Sequence, residues 1–586
     1  MPRFVTIITL IAALAMPTST ARAEARQPSQ NATTPTTVTA DPLPTWQTNG
    51  IVWAMETVGN IVYIGGNFTS VRPPDAEPGR KEIARKNMAA FDASTGELLP
   101  FSHDFTAPEY SFNAEQDAVD PTCNINWDAQ TYSCDTVYEI RHSPDNQRII
   151  VGGDFTSVDG NDRRKLAAFG VPDAHEDNAT LTNFHIPDID HRVRSLAVTD
   201  TTIYFGGTFA SVGGQPRSQL AAVDARSGEL RAWAPNAQGR TSNGAVLAMV
   251  MAPDKSRVII GGEFDSVAGL NIHGLAALDA DSGSATTWDS AVIPPESYVT
   301  DLVVDRDTVY GGADGRGTFD GRFAADPYSG KMRWVDYCAG ATWSVVIMRD
   351  VLYSGSHAHN CSSTPGGFSE TNYGQENPQW YRLLAQKARE PQTEILHWFP
   401  NTNGGDFSVP ATHTPARLGP RCMVIVEDQL WVGGQFTTVN DGPQQSLTRF
   451  TFAPDTEAPT APTNVKTEVL NTTQQAATLT PSSSPEEETP PQRLSAPPAT
   501  VPYTHTEAKG AERIRISWTN SYDRDDAAIT YRVYRNGEQV GTVQRIEKPW
   551  APNTVEWVDE SAPAGASYTV SAEDPDGNPT TLVKTN

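Results

Sequence analysis

One phrase recurs along the first three quarters of the chain and constrains its fold more than any other feature. It reads VYIGGNFTSV at 62–71, IVGGDFTSV at 150–158, IYFGGTFASV at 203–212, IIGGEFDSV at 259–267 and LWVGGQFTTV at 430–439. Two degenerate copies, VYGGADG at 309–315 and LYSGSHAH at 352–359, fill the gap. Repetition on this scale means one small unit stacked against copies of itself. The first glycines stand at 65, 152, 206, 261, 311, 355 and 433, at spacings of 87, 54, 55, 50, 44 and 78 residues. The shorter spacings match a four-stranded propeller blade of about 40–50 residues.

Each unit has one internal order. An alternating apolar run such as VRSLAVTD (193–200) is followed by the strand that ends in Gly-Gly. A strand like LAAVD (220–224) or LAALD (275–279) comes next, then an Asp-to-Gly turn such as Asp224…Gly228. A fourth short strand carries an aromatic: Phe101, Phe184, Trp233, Trp288, Trp334 or Trp398. Period-two alternation between Gly turns is strand chemistry. The paired glycines permit close approach of neighbouring sheets, and Phe68, Phe155, Phe209, Phe264 and Phe436 are expected to fill the space between them. No Lys-Ser or Lys-Thr follows the glycines, so a phosphate loop is excluded. The seventh unit stops near Phe452 without a fourth strand, while PLPTWQ (42–47) has no unit of its own. Trp46 is therefore expected to pair beside 448–452 and close the ring, leaving no open edge.

These patterns predict an all-β chain, a seven-bladed β-propeller over 43–453 followed by a fibronectin type III-like β-sandwich over 454–586. The sandwich reading rests on RIRISWTNS (513–521), the hairpin TYRVYRNGEQVGTV (530–543) with Asn536-Gly537 at its turn, and SYTVSAEDPDGN (567–578). The Pro, Ser and Glu-rich stretch at about 471–511 reads as a disordered insertion.

The N-terminus carries Arg3, an apolar run from Phe4 to Met16 and the small-x-small sequence Ala21-Arg22-Ala23, so 1–23 reads as a signal peptide. The run is shorter than the ~20 residues that cross a bilayer, and no other stretch is apolar enough to span one. Residues 24–42 read as a flexible leader, and the expected location is secreted or associated with the cell envelope. Export permits disulfides. Cys123 with Cys134 and Cys338 with Cys361 are the expected pairs; Cys422 is left as a thiol, with Cys361–Cys422 as the competing bridge. The formal net charge of −26 argues against nucleic acid as a partner.

The GGxFTxV phrase, with FPNTNGG (399–405) and LWVGGQFTTVNDGPQQSLTRF (430–450), resembles secreted propeller proteins common in actinobacteria, in which a fibronectin type III domain often follows the repeats. The resemblance covers roughly 45–586. It implies a fold and an extracellular setting but no established reaction, so no catalytic residues carry over. The segment from Ala324 to Trp334 resembles the tryptophan-docking motif of quinoprotein propellers, a device that packs one blade on the next.

Binding residues gather on loops held by a rigid scaffold. The long insertions at 72–87, 102–134, 289–297, 360–381 and 399–419 all fall on one expected face. Ligand-binding candidates there are His357, His359, Asp406, Asp188 and Asp190, with Glu296 as a further acid. His357 and His359, two apart on a strand, could share a face and hold a metal. Asp574, Asp576 and Asn578 resemble a calcium loop without the Gly and Glu positions of an EF-hand. No cofactor is required by the sequence. The leading expectation is a non-enzymatic binding or scaffold protein for an extracellular glycan, envelope polymer or protein. The alternative is an extracellular polymer-active enzyme, a hydrolase or a quinone-dependent oxidoreductase, at the channel mouth.

Overall fold

A computed structural model describes residues 35–113, 120, 122–126, 128–172, 178–239, 245–289, 293–315, 318–376, 378–389, 393–405, 419–470 and 511–585. The segments read as signal peptide and as disordered insertion, apart from residue 511, lie outside them, as does Asp406. The chain divides into Met1–Pro35 and Thr36–Asn586, and the architecture below is that of the second unit. Its described elements are all β-strands, in many small antiparallel sheets. Among the described residues no helix is long and apolar enough to cross a membrane.

Among the described residues, seven sheets repeat one antiparallel order of three strands, and the fourth strand expected in each joins as a strand only in the second and fifth, as Thr180–Leu181 and Met332–Asp336. The first is Val52–Val58, Ile61–Gly66, Met88–Asp92. The others begin with the strands Val137–His142, Val193–Val198, Val246–Met251, Tyr298–Asp305, Thr342–Met348 and Gly419–Val426. Each first strand lies against the first strand of the following sheet, and Gly419–Val426 lies against Val52–Val58, so the series closes on itself. The close approach is made at glycine. A Cβ on Gly65 would stand 2.4 Å from Val137 Cγ1, and one on Gly261 would stand 2.5 Å from Val299 Cγ1. Pairing makes Gly312, not Gly311, the equivalent in the fifth sheet, because Gly312 stands opposite Asp301 as Gly65 stands opposite Ala54.

The phenylalanines of the repeat are buried as expected, Phe68, Phe155, Phe264 and Phe436 completely. The valine that ends the phrase has a second task. It pairs with the connector arriving from the preceding sheet: Val71 with Thr48, Val158 with Phe105, Val212 with Ile189, Val267 with Ala237 and Val439 with Thr402. The phrase thus belongs to two sheets at once, which accounts for its length. The outer tryptophans dock across units: Trp233 Nε1 donates to Asp279 O at 3.1 Å, and Trp334 Nε1 to Ala388 O at 2.9 Å.

The N-terminal segment differs from expectation in register. Thr39 N donates to Thr451 O at 3.0 Å and Leu43 N to Arg449 O at 2.8 Å, so residues 39–43, rather than Trp46, run beside Leu447–Thr451. Trp46 instead packs on Phe91, and Gln47–Thr48 turns away to pair with Ser70–Arg72. The part of the expected leader nearest the repeats is packed too: Val38 is fully buried, and its N–H donates to the Tyr353 hydroxyl at 2.9 Å. Apolar Val38 and Ala40 bury surface that a polar leader would leave in water.

The C-terminal region forms two sheets, Thr463–Val469 with Ala511–Thr519 and Thr554–Pro563, and Glu538–Ile546 with Ala528–Arg535, Tyr568–Glu573 and Val583–Lys584. Ile516, Trp518, Tyr531, Val533 and Val570 make its core. It docks on the repeat region. The Trp550 ring stands 5.2 Å from Phe368 and 5.0 Å from Phe399, and Phe399 N donates to Arg524 O at 2.7 Å.

Candidate functional site

In every one of the seven first strands the pairing register slips by one residue near the N-terminal end. The unpaired residues are Trp53, Tyr138, Arg194, Leu247, Thr300, Trp343 and Arg421. A bulge re-aims a side chain out of the pleat. All seven line one cavity of about 150 Å³, with Glu139, Arg141, Asp301 and Cys422 beside them. Arg194, Leu247 and Trp343 also line a wider pocket of about 570 Å³, shared with Arg192, Tyr298 and Asp120 of the 102–134 insertion.

The ring is built by stacking guanidinium on aromatic faces. Arg421 Cζ stands 3.7 Å from the Trp343 ring centroid and 5.5 Å from that of Trp53. Arg194 Cζ stands 4.3 Å from Tyr138 and 5.9 Å from Trp53. Such contacts stabilise a cation, more so when it is desolvated. Among the described residues no hydrogen bond or ion pair engages either guanidinium, and Arg421 Nε is buried without a partner. Burial lowers the Arg421 pKa to about 9; Tyr298 and Asp314 oppose the shift, while the Arg194 and Arg382 cations add to it. Arg192 behaves differently, pairing with Asp120 at 2.8 Å and Asp154 at 2.9 Å.

Two acids also line the cavity. Burial pushes Glu139 up to about 7 and Asp301 up to about 6, against the pull of Arg141. Glu139 pairs with Arg141. Both Asp301 oxygens accept backbone N–H groups, Oδ1 from Leu302 at 2.8 Å and Oδ2 from Val345 of the next sheet at 2.9 Å.

The residues singled out from sequence are dispersed. His357 stacks toward Trp343 at 6.4 Å, and burial lowers its pKa to about 4, so it is neutral at physiological pH. His359 bonds Glu370 through Nδ1 at 2.9 Å and meets Tyr373 edge-on. Among the described residues no group of three metal-binding side chains includes either histidine. Asp190 accepts N–H bonds from Ala210 and Ser211 and so fixes a turn. Asp188 is exposed, 3.5 Å from Arg164, and Glu296 is exposed. Both expected disulfides are present, Cys123–Cys134 and Cys338–Cys361, which removes the competing Cys361–Cys422 bridge. Cys422 is a thiol, raised well above its ordinary pKa by burial and 3.6 Å from Val52 O.

The Asp574 loop gains partners that sequence distance concealed. Asp455 with Asp523 and Asp574, and Asp455 with Asp526 and Asp576, each bring three carboxylate oxygens within 4.8 Å of one another, a set that could hold a divalent cation. Asn578 acts as a cross-link, its Nδ2 donating to Asp455 O at 3.1 Å and to Asp574 Oδ2 at 2.9 Å. Burial, then neighbouring carboxylates, push Asp455 to about 8 and Asp526 to about 6; burial and a bond to Asp523 push Asp525 to about 9.

No protein-family model and no curated protein matches the sequence. Among solved structures the chain is similar to the computationally designed protein Ika8, at 10% identity, over 70% of this chain and 98% of that one, with a TM-score of 0.36. It is similar to the extracellular domain of the putative hybrid two-component system BT4673 from B. thetaiotaomicron, at 10% identity over 94% and 59%, TM-score 0.37. Sqt1 of Saccharomyces cerevisiae is similar at 8% identity over 72% and 100%, TM-score 0.35.

Proposed function

We propose that the protein is a secreted, non-enzymatic binding or scaffold protein. In this reading 1–23 is removed on export, a seven-bladed β-propeller receives a ligand at its channel mouth, and a fibronectin type III-like sandwich is a docked spacer. The closed cycle of first strands supports the blade count, and the two three- and four-stranded sheets with Trp518 and Tyr531 between them support the sandwich. The disulfides fit an oxidising compartment. One observation carries the function: the bulge ring points an aromatic and arginine surface into an open cavity, and among the described residues two of its cations have no hydrogen-bond or ion-pair partner. Charges drawn partly out of water are ordinarily paired, so two half-buried guanidiniums left over fit a surface that awaits a ligand.

The hydrolase alternative has one observation in its favour, the two acids with raised pKa in the same cavity. Against it, Asp301 spends both oxygens on backbone N–H groups and Glu139 is paired with Arg141. A glycan and envelope-polymer binding array, run beside a hydrolase screen, separates the two. Binding weakened by Trp343→Ala with no turnover is the expected result. Turnover abolished by Glu139→Gln would overturn the scaffold reading.

A further inference from the structure

The cost of leaving Arg421 as it stands identifies what the cavity receives. A desolvated cation is costly unless it is paired and hydrogen-bonded. Stacking on Trp343, Trp53 and Tyr138 covers guanidinium faces but leaves the in-plane N–H groups without acceptors among the described residues. Arg194 and Arg421 also repel each other. A planar oxyanion between two guanidinium edges relieves both penalties, because a guanidinium fork matches a carboxylate.

The rest of the wall narrows the class. Among the described residues Trp53 Nε1 and Trp343 Nε1 find no acceptor, the Tyr138 hydroxyl donates to Thr122 Oγ1, and the Thr300 hydroxyl donates to Thr342 O. Because both hydroxyls donate in those bonds, their oxygens remain acceptors, and with Glu139 and Asp301 in the same wall the cavity offers donors and acceptors side by side. A glycan suits such a mixed wall, because each of its hydroxyl groups both donates and accepts. The formal charge of −26 adds a further limit. Over about 10 Å, the screening length at 0.1 M salt, the molecule repels a dense polyanion. One isolated negative charge on a neutral body meets the local arginines at much smaller cost.

We infer that the bulge-ring cavity is a site for a single carboxylate on an otherwise neutral glycan, a uronate residue held by the in-plane N–H groups of Arg194 and Arg421. This deepens the binding reading above and rests on it. The test is titration calorimetry of the full chain with a glucuronate-capped xylo-oligosaccharide, its carboxyl-reduced counterpart, polygalacturonate and polyglutamate. The capped oligosaccharide is expected to bind saturably. Carboxyl reduction, Arg194→Gln and Arg421→Gln are each expected to weaken binding about tenfold or more, the loss of one charge-assisted bond. Arg421→Gln is also expected to unfold no earlier than the parent chain, since it removes a half-buried cation that has no hydrogen-bond or ion-pair partner among the described residues. Equal affinity for the reduced sugar, or no effect of both substitutions, overturns the inference. So does earlier unfolding of Arg421→Gln with unchanged binding by Arg194→Gln, which would make the pair a structural plug. If the reduced sugar or polyglutamate binds and Trp343→Ala weakens it, the uronate inference falls and the scaffold reading stands. If no probe shows Trp343-sensitive binding, both fall.

Discussion

Gly433 lies against Val52, the two residues coming from the last and first sheets of the repeat series, so closely that a Cβ on Gly433 would stand 2.7 Å from Val52 Cγ1. This contact is the seam of the ring. Gly65 with Val137, Gly152 with Val193 and Gly206 with Val246 repeat it between consecutive sheets.

Gly433→Ala is expected to lower unfolding free energy by about 1–3 kcal/mol, the usual range for overpacking a core. Val52→Ala in the same chain should restore part of the loss, because it removes the clashing methyl groups. Urea denaturation of the two single variants and the double variant measures the coupling, expected above about 0.5 kcal/mol. Additive losses would show that the seam is not tight.

Arg322 and Asp336 form an ion pair at 3.1 Å with both side chains fully buried. Asp336 also accepts from Cys338 N at 2.9 Å and from the Thr364 hydroxyl at 2.5 Å. Asp336→Ala leaves a buried cation and two donors unmatched, with an expected cost of about 3–5 kcal/mol. Replacing both partners, as Arg322→Met with Asp336→Leu, is expected to cost less than Asp336→Ala alone. Thermal unfolding compares them.

Cys338 and Cys361 are bridged over a separation of 23 residues, and Cys123 and Cys134 over 11. Loop-closure entropy gives each bridge about 3 kcal/mol, so Cys338→Ser with Cys361→Ser should lower the denaturation midpoint measurably. Burial raises the Cys422 thiol well above its ordinary pKa. Since thiolate is the nucleophile, Cys422 is expected to resist iodoacetamide at pH 8 in the native chain and to react in denaturant. Mass spectrometry reads the modified site.

Asp455, Asp525 and Asp526 have pKa values raised to about 8, 9 and 6, chiefly by burial. Unfolded, each titrates near about 4. Between those limits the folded chain holds protons that the unfolded chain has released, so unfolding free energy falls as pH rises from about 4 to about 9. Asp525→Asn mimics the protonated form. It is expected to leave stability unchanged near pH 4 and to raise it above about pH 6, growing toward pH 9. Denaturation at several pH values tests this, and equal slopes for the two chains would contradict it. The Ala40 N–H that bonds Asp525 at 2.8 Å ties the same pH response to the N-terminal segment.

Much of the repeat region could be read from one phrase, because Gly-Gly, Phe and Val each answer a local demand that recurs unchanged. The Asp224…Gly228 turn forms as read, its Gly N–H donating to the Asp carbonyl, and Gly96 N–H makes the same bond to Asp92 O in the first unit. The bulge ring was legible in principle. Aligning the first strands on their glycines stacks Trp53, Tyr138, Arg194, Leu247, Thr300, Trp343 and Arg421 in one column. The column has no constant residue type, so periodicity alone does not pick it out. His357 and His359 are separated for a related reason. A strand period predicts a shared face, but pairing to Tyr381–Lys387 is irregular between Gly355 and Ala358, and each imidazole finds its own neighbours.

The sequence by itself determined the all-β class, the order of the first three strands in each unit, the Cys123–Cys134 pairing and the acidic charge, because these depend on local turn chemistry, alternation and short-range closure; that Cys361 pairs with Cys338 and not Cys422 was decided by the fold. Only the tertiary structure decided the contents of the cavity and the carboxylate cluster. Each gathers residues from distant positions, 53 with 421 and 455 with 574, and no local preference records which remote side chains share one low-dielectric space. There, burial and neighbouring charge set the protonation of Glu139 and Asp525 and lower the pKa of Arg421.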